Sequence, residues 1–513
     1  MDAFKSNFVD SLDNNVAVKN FYSKLDNSKQ TEFKLFQIDE IEKAVSMLSS
    51  SIALDCDGLC SFHLKYAHPA LYAALKLLFN SMIEFGVVPH NFGVSVITPV
   101  VKNTTSSLHD VNNYRPVSII SVISKAFESL VNLQFGQLFT YHENQFGFSV
   151  GGGCNKGIFA FNNTVKYFRD RRSNVFLSAL DVTKAFDRVN HFSVLRCLLE
   201  RGFPSQLVNV FLIWYRNMRA CVKWGCNKSV YFDVKSGCPE GSILGPKFFN
   251  LVIDELLKLL DDAHLGCRVG SCFAGAFAYA DDIVLLTSSG RQLQLMLDLC
   301  VNFGKDCDLS FNVKKSLWGF VGVLIGNRYP QFRLDLIDLP RADWFVYLGV
   351  KFKFGLKLCV DYSLRCGKFL ASVSGVLRHK VIGYEDVFAT ILIKKCLPIL
   401  NYGLDCIILD SNSFDVVSKS WNNAFRWLFN YRKYDSTRWL FHDHKTMSMR
   451  YLLDLQLLCF ICNTMSCPSM LLRMLSRCLI LNSNISITFR KYGSILYNNR
   501  LMHVLNLLCI KPL

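Results

Sequence analysis

The sequence predicts an α+β chain, and three observations carry that reading: helical periodicity in its first part, two apolar strands that each run into aspartate, and a helical, basic C-terminal part. Ile38, Ile41, Val45 and Leu48, then Leu71, Leu75, Leu78 and Met82, recur at helical spacing and predict two amphipathic helices before about Phe85. Asp55, Asp57 and Gly58 make a turn between them, and Gly86 followed by Pro89 closes the second. A β-rich stretch follows from Val94 to Val101, then a polar loop that ends at Arg115 and Pro116. Val175 to Leu180 reads as a strand ending at Asp181, with Asn190 as N-cap of a helix that closes at Gly202. Pro204 opens another helix. Strands at Cys221–Trp224 and Ser229–Val234 flank a turn at Gly225–Lys228, and Gly237 to Pro246 is a glycine-punctuated loop into a helix. Ala276 to Thr287 reads as two strands joined at Asp281 and Asp282, and beyond about residue 360 the chain becomes helical, basic and cysteine-bearing.

Composition bounds the partners. A chain of 513 residues, 51% hydrophobic, can bury several cores, which excludes general disorder. Its 57 Lys and Arg against 41 Asp and Glu leave a net charge of +16, which favours a polyanion such as nucleic acid, although membranes and acidic proteins also attract basic chains. The 20 cysteines are scattered through apolar segments, and Met1 to Asp13 mixes Asp2, Lys5 and Asp10 among apolar residues, unlike an export signal. A reducing, intracellular setting in the nucleus or cytoplasm follows. No membrane span is expected: the least charged stretch, Leu455 to Leu472, contains Gln456, Asn463 and Pro468 and reads as a buried helix with a break.

The sharpest chemical feature is Phe277-Ala278-Tyr279-Ala280-Asp281-Asp282-Ile283-Val284-Leu285-Leu286. Adjacent carboxylates at the mouth of an apolar core repel each other, and bound divalent cations relieve the repulsion. An isolated Asp-Asp pair is ordinarily just a hairpin turn. A second strand ending in a carboxylate, Leu180-Asp181-Val182-Thr183-Lys184-Ala185-Phe186-Asp187, changes that balance. Two such strand ends can share a pair of Mg²⁺ ions about 3.5 to 4 Å apart, the arrangement for in-line phosphoryl transfer to a primer 3′-hydroxyl. Asp187 is read as a cap for the following turn, without a metal role.

At these residues the chain resembles the reverse transcriptase of a non-LTR (LINE-type, jockey/CR1-like) retrotransposon, collinear from about Phe36 to about Val350. Asp55-Cys56-Asp57-Gly58 and Phe79-Asn80 through Gly86 and Pro89 are similar to the family's opening block. Asn113-Tyr114-Arg115-Pro116-Val117-Ser118, Ser124-Lys125 and Phe127-Glu128 resemble its fingers motif, followed by Gln145-Phe146-Gly147-Phe148. Gly237-Cys238-Pro239-Glu240-Gly241-Ser242-Ile243-Leu244-Gly245-Pro246, leading to Phe249-Asn250-Leu251, resembles the template and nucleotide loop. Asn312 with Lys315 and Tyr347-Leu348-Gly349 complete the order.

The resemblance implies a right-hand polymerase: a lead segment over 1–35, fingers over 36–175, a palm with antiparallel sheet over 176–355, and a helical thumb or C-terminal region over 356–513. It implies Asp181, Asp281 and Asp282 as catalytic metal ligands for two Mg²⁺ ions, with Mn²⁺ as a substitute. Phe186 matches a ring that would crowd a ribose 2′-hydroxyl, although a Phe at a strand end is also simply a core residue. Lys102 and Arg115 match cations over the triphosphate, and Gly241, beside Glu240, matches a glycine that lets backbone approach the incoming base pair. The implied partners are an RNA template, a DNA primer and deoxynucleoside triphosphates.

Three departures stand out. Glu240 replaces the family's usual Gln, so a donor becomes an acid that would repel triphosphate. Ser149-Val150-Gly151-Gly152-Gly153-Cys154 replaces a more basic, hydroxyl-bearing stretch. Nothing long enough to be an endonuclease precedes the opening block, so cutting of target DNA in cis is expected to be absent. The rival readings are a decayed element copy that only binds RNA and a group II intron maturase, whose loop would differ from Ser242-Ile243-Leu244-Gly245-Pro246. Viral RNA-dependent RNA polymerases usually carry Gly where Ala280 stands. In the C-terminal part, Trp421, Arg426 and the aromatic-basic run from Trp427 through Arg438 suit a thumb gripping a duplex, or an ordinary packed helix. Cys459, Cys462 and Cys467, with His442 and His444 as a loose pair, hint at a zinc knuckle. Their apolar neighbours Leu457, Leu458, Phe460 and Ile461 favour buried reduced thiols.

Overall fold

A computed structural model describes residues 21–25, 33–323, 330–381, 383–443 and 447–482. His444 lies outside them. The chain is α+β, consistent with a right-hand polymerase fold. Its strands, in chain order, are β1 (Val94–Val101), β2 (Tyr114–Ile120), β3 (Val175–Asp181), β4 (Arg219–Trp224), β5 (Asn227–Lys228), β6 (Phe232–Asp233), β7 (Arg268–Val269), β8 (Cys272–Phe273), β9 (Ala276–Tyr279), β10 (Asp282–Thr287), β11 (Leu317–Val321), β12 (Arg333–Leu334), β13 (Ile337–Asp338), β14 (Trp344–Tyr347), β15 (Val350–Lys353) and β16 (Cys359–Asp361). Two compact units are drawn from these: one from residues within 1–149, 181–259 and 297–312, the other from 150–180, 260–296 and 313–513.

The first unit is built on a sheet of order β2-β1-β4-β5, with β6 also on β4. The β1 strand keeps the bounds that its apolar run predicts. Arg115 and Pro116, expected at the end of a loop, lie inside β2, where Pro99 faces Pro116. Two prolines are tolerated there because β2 is an edge strand and the β4 ladder stops at Ile97. That β1–β4 ladder is parallel, whereas β2 pairs with β1 and β6 with β4 antiparallel. Of the strand expected over Ser229–Val234 only Phe232–Asp233 forms, while Asn227–Lys228, expected in the turn, becomes β5, and the turn tightens to Gly225 and Cys226. Helices pack on this frame through rings: Phe127 meets Phe36, Phe79, Phe92, Phe211 and Trp214 at 5.3 to 6.3 Å between centroids. The two predicted early helices are Ile38–Ser46 and Ala70–Phe85, the latter closed by left-handed Gly86. A short helix, Ser61–Lys65, stands between them, and Ile38 is exposed where the periodicity placed it inward.

The second unit holds the sheet β11-β3-β10-β9. Val175, Leu177 and Leu180 in β3 and Ile283 to Leu286 in β10 are buried, as apolar runs in central strands require. A mainly helical part follows, with a core of Phe369, Leu392, Trp421, Phe425 and Leu428. Asp410 caps the Ser411–Leu428 helix by accepting the Ser413 N–H at 2.7 Å. The stretch expected to be a broken buried helix is two helices, Met449–Met465 and Met470–Asn482, parted around Pro468. Among the described residues no helix is long and apolar enough to cross a membrane.

Candidate functional site

The carboxylates stand at strand termini. Asp181 is the last residue of β3 and Asp282 the first of β10, and β3 and β10 are neighbours in one sheet. The turn between β9 and β10 is Ala280-Asp281, with Tyr279 opposite Asp282, so only one of the paired aspartates is a turn residue. Ala280 is buried and adopts φ 55°, a left-handed conformation that a small side chain tolerates in a two-residue hairpin. Asp181 and Asp281 are half-buried and Asp282 is exposed, while Ala276–Ala278 and Ile283–Leu286 behind them are buried. The Asp181 backbone is fixed too: its carbonyl accepts the Asn312 N–H at 2.8 Å. Among the described residues no group of three or more His, Cys, Asp or Glu is arranged to hold a metal ion, so the carboxylates are read from their strand positions and not from a preassembled cluster.

The first unit gathers a second group of predicted residues around the Ala185–Arg188 turn. Phe186 packs on Phe249 at 4.8 Å between centroids and meets Phe148 edge-on at 6.4 Å. Phe249 is fully buried, so the Phe186 ring has a firm support on one side. The Gly237 loop is laid on this turn: Gly237 N–H donates to Val189 O (2.9 Å), Cys238 N–H to Phe186 O (2.7 Å), and the Ser236 hydroxyl to Asp187 O (3.2 Å). His191, stacked on Tyr215 at 4.2 Å, bonds the Gly237 carbonyl at 2.8 Å. Burial lowers that imidazole to about 4, so it donates from a neutral ring.

Asp187 does not serve as the cap; Asn190 does, accepting the Phe192 and Ser193 N–H groups. Asp187 is buried, and desolvation with the nearby Glu240 charge raises its carboxyl to about 7 against the opposing pull of Lys184, Lys102 and Arg188. Lys102 is exposed just past β1; its N–H donates to Asn113 O (2.7 Å) and its ammonium to Asn112 O (3.0 Å). Arg115 is exposed on β2 opposite Val100, two positions before Lys102, so the strand period sets both cations on one face.

Gly241 has a local reason to be glycine. At φ 141° its Cβ would overlap the Ser118 carbonyl oxygen of β2, while the Ser118 N–H donates to Glu240 O at 2.8 Å. The same loop is held from within by Glu128, which accepts the Ser242 hydroxyl (2.5 Å) and the Ile243 N–H (2.7 Å). Burial raises that carboxyl to about 7. The sequence signal for Glu128 is an acid set among Phe127, Leu130 and Val131 on a buried helix face. Lys184 lies inside the Leu180–Asp187 stretch and Arg188 directly follows it.

Elsewhere, Trp421 is a core residue, and Arg426 donates to the Asp435 carbonyl, tying down the following loop. Trp427, Tyr431 and Tyr434 are exposed. Cys459 and Cys462 lie on the Met449–Met465 helix, and burial raises both thiols, Cys462 to about 11. The described cysteines form no disulfide with one another.

Residues 101–352 match the model of the family "Reverse transcriptase (RNA-dependent DNA polymerase)". Among curated relatives, the retrovirus-related Pol polyprotein from the type-2 retrotransposable element R2DM of Drosophila melanogaster is 25% identical over 323 residues, covering 61% of this chain and 30% of its own length. The probable RNA-directed DNA polymerase from transposon BS of the same organism is 24% identical over 409 residues (77% and 44%). The RNA-directed DNA polymerase from mobile element jockey of Drosophila funebris is 26% identical over 376 residues (69% and 39%). The chain thus spans less than half the length of these relatives. Residues 101–352 are thus similar to reverse transcriptase domains, and the relatives come from non-LTR retrotransposons.

Proposed function

We propose that this chain is an RNA-directed DNA polymerase that adds deoxynucleotides to a primer 3′-end on an RNA template, as part of a non-LTR retrotransposon. One observation carries the reading: within the segment that matches the family, β3 closes on Asp181 beside β10, which opens on Asp282 directly after Asp281. In this reading the division of labour is fingers over 36–175, palm over 176–355 and thumb from 356. Its partners are RNA template, DNA primer and deoxynucleoside triphosphates, met in the nucleus or cytoplasm. A jockey-like affinity rests on motif order, and R2 elements match as well.

Asp181, Asp281 and Asp282 would hold two Mg²⁺ ions, or Mn²⁺ in their place. The donor set fits: hard carboxylate oxygens on partly exposed strand ends suit hydrated divalent cations, which keep several waters. Bound there, the ions would activate the primer hydroxyl and stabilise the leaving pyrophosphate. The protein's own part is positional. Phe186, braced by Phe249, bounds the sugar on its 2′ side, and Lys102 and Arg115 face the phosphates from one side of the β1–β2 ladder. Gly241 and Glu240 keep the loop seated on β2.

The test is primer extension on poly(rA)/oligo(dT) with Mg²⁺. Incorporation that disappears in Asp281→Asn with an unchanged melting temperature supports the reading. RNA binding without incorporation by the wild-type chain selects the rival, a copy that only binds RNA, which the acid Glu240 favours.

A further inference from the structure

Within the second unit, the Leu397–Asn401 and Met449–Met465 helices and the start of the Cys154–Asp170 helix line a cleft of about 630 Å³. That lies within the roughly 300 to 1,000 Å³ of small-molecule sites, and no part of the polymerase reading uses it. Its walls are apolar and aromatic, from Leu397, Leu455, Tyr402 and Phe460.

Its polar groups are mismatched in one direction. Asn401 Oδ1, Asp405 Oδ1 and Gln456 Oε1 all line it, and each is a buried acceptor without a hydrogen-bond donor. The other Asp405 oxygen is taken by the Asn155 amide at 2.7 Å, and the neighbouring Cys406 thiol, a weak donor, is shared between the Asp405 carboxylate and the Gly403 carbonyl at 3.4 Å. Buried acceptors left unpaired are costly, and three around one cavity point to a missing partner that brings N–H groups.

The partner's chemistry follows from counting donors. A guanine presents three N–H donors, N1–H and one amino N–H on its Watson–Crick edge and the second amino N–H toward its sugar edge, whereas adenine and cytosine present two from a single amino group and uracil presents one. An arginine side chain has more donors but would add its charge to a chain of net charge +16, in which Lys394 and Lys395, between the lining residues Ile393 and Leu397, are exposed. Those lysines suit the phosphates of a nucleotide strand.

We infer that this cleft takes the N1 and 2-amino side of an unpaired guanine in single-stranded RNA, with Asp405, Asn401 and Gln456 accepting its three N–H groups and Tyr402 and Phe460 meeting its face. The inference shares with the polymerase reading only that the chain meets RNA. Its readout is binding, so failure to extend primers leaves it standing.

Fluorescence anisotropy of the full chain with labelled uridine decamers, carrying G, A or U at one central position, tests it. The G decamer is expected to bind about tenfold tighter than the other two. Gln456→Leu should erase that advantage without lowering the melting temperature, because it deletes an unpaired buried acceptor, and Asp405→Asn should also erase it. Equal affinity for the three decamers, or a G advantage that survives both substitutions, overturns the proposal. Displacement of the G decamer by arginine amide but not by guanosine monophosphate also overturns it and gives the cleft to a cationic side chain.

Discussion

Replacing Gly237 by alanine asks whether the loop that follows it is truly seated on the turn carrying Phe186. A Cβ on Gly237 would lie 2.5 Å from Asp187 O and 2.7 Å from Phe186 O, so the two segments must part by roughly 0.6 Å or more to reach a tolerable C···O contact. Parting them weakens the Gly237 and Cys238 N–H bonds to Val189 O and Phe186 O, each contributing about 0.5 to 1.5 kcal/mol. Alanine at φ 88° adds strain of about 1 to 3 kcal/mol. Together these come to roughly 2 to 6 kcal/mol. Gly58→Ala is the control: its φ of 74° imposes similar strain, but its Cβ meets nothing within 4 Å. Urea unfolding should show Gly237→Ala losing about 1 to 3 kcal/mol more than Gly58→Ala. Equal losses would refute the seating argument, because backbone strain alone would then account for both.

Three further outcomes are expected. Phe186→Ala should raise ribonucleotide incorporation relative to deoxynucleotide by about 10- to 200-fold in kcat/KM, measured by single-nucleotide extension; unchanged discrimination would remove Phe186 from the sugar pocket. Glu128 sits at about 7 when folded against an ordinary 4.5, so its contribution is fully present below pH 4.5 and lost as pH rises through 7, a difference on the order of 3 kcal/mol. Melting curves of wild type and Glu128→Gln should therefore shift in favour of the variant between pH 5 and 8, and a pH-independent difference would contradict this. Trp421→Ala empties the middle of the helical C-terminal core and should cost about 3 to 5 kcal/mol in urea unfolding; a loss below about 1 kcal/mol would mean the ring is not core.

What could be read directly from the sequence was local. The β1 bounds, the strand ending at Asp181, the Asn190 cap and the break near Pro468 each follow from a run of a few residues whose propensities agree. The Ala280-Asp281 turn was misplaced by one residue because the pattern of two carboxylates between apolar strands does not say which of them pairs; the register of Asp282 with Tyr279 decides it. The long-range contacts were hidden. Nothing near Gly241 announces that Ser118, far back in the chain, will press on it, and nothing near Ser242 announces Glu128. The orphaned acceptors of Asn401, Asp405 and Gln456 were equally invisible, since they become unpaired only when distant helices pack.

The Glu240 substitution looks different once its surroundings are known. Position 240 serves the fold through its backbone, whose carbonyl takes the Ser118 N–H, and any side chain preserves that bond. The added negative charge falls among Lys102, Lys184 and Arg188, with Asp187 as the other acid influencing the group. Burial with Glu240 pushes Asp187 toward its neutral form near pH 7, which offsets part of the added negative charge. In the proposed reading, the acid at 240 therefore weakens the attraction for a triphosphate by less than its formal charge suggests. Glu240 by itself is then a weak reason to regard the chain as a binder that has lost catalysis, and the weight of that question moves to the three strand-end aspartates.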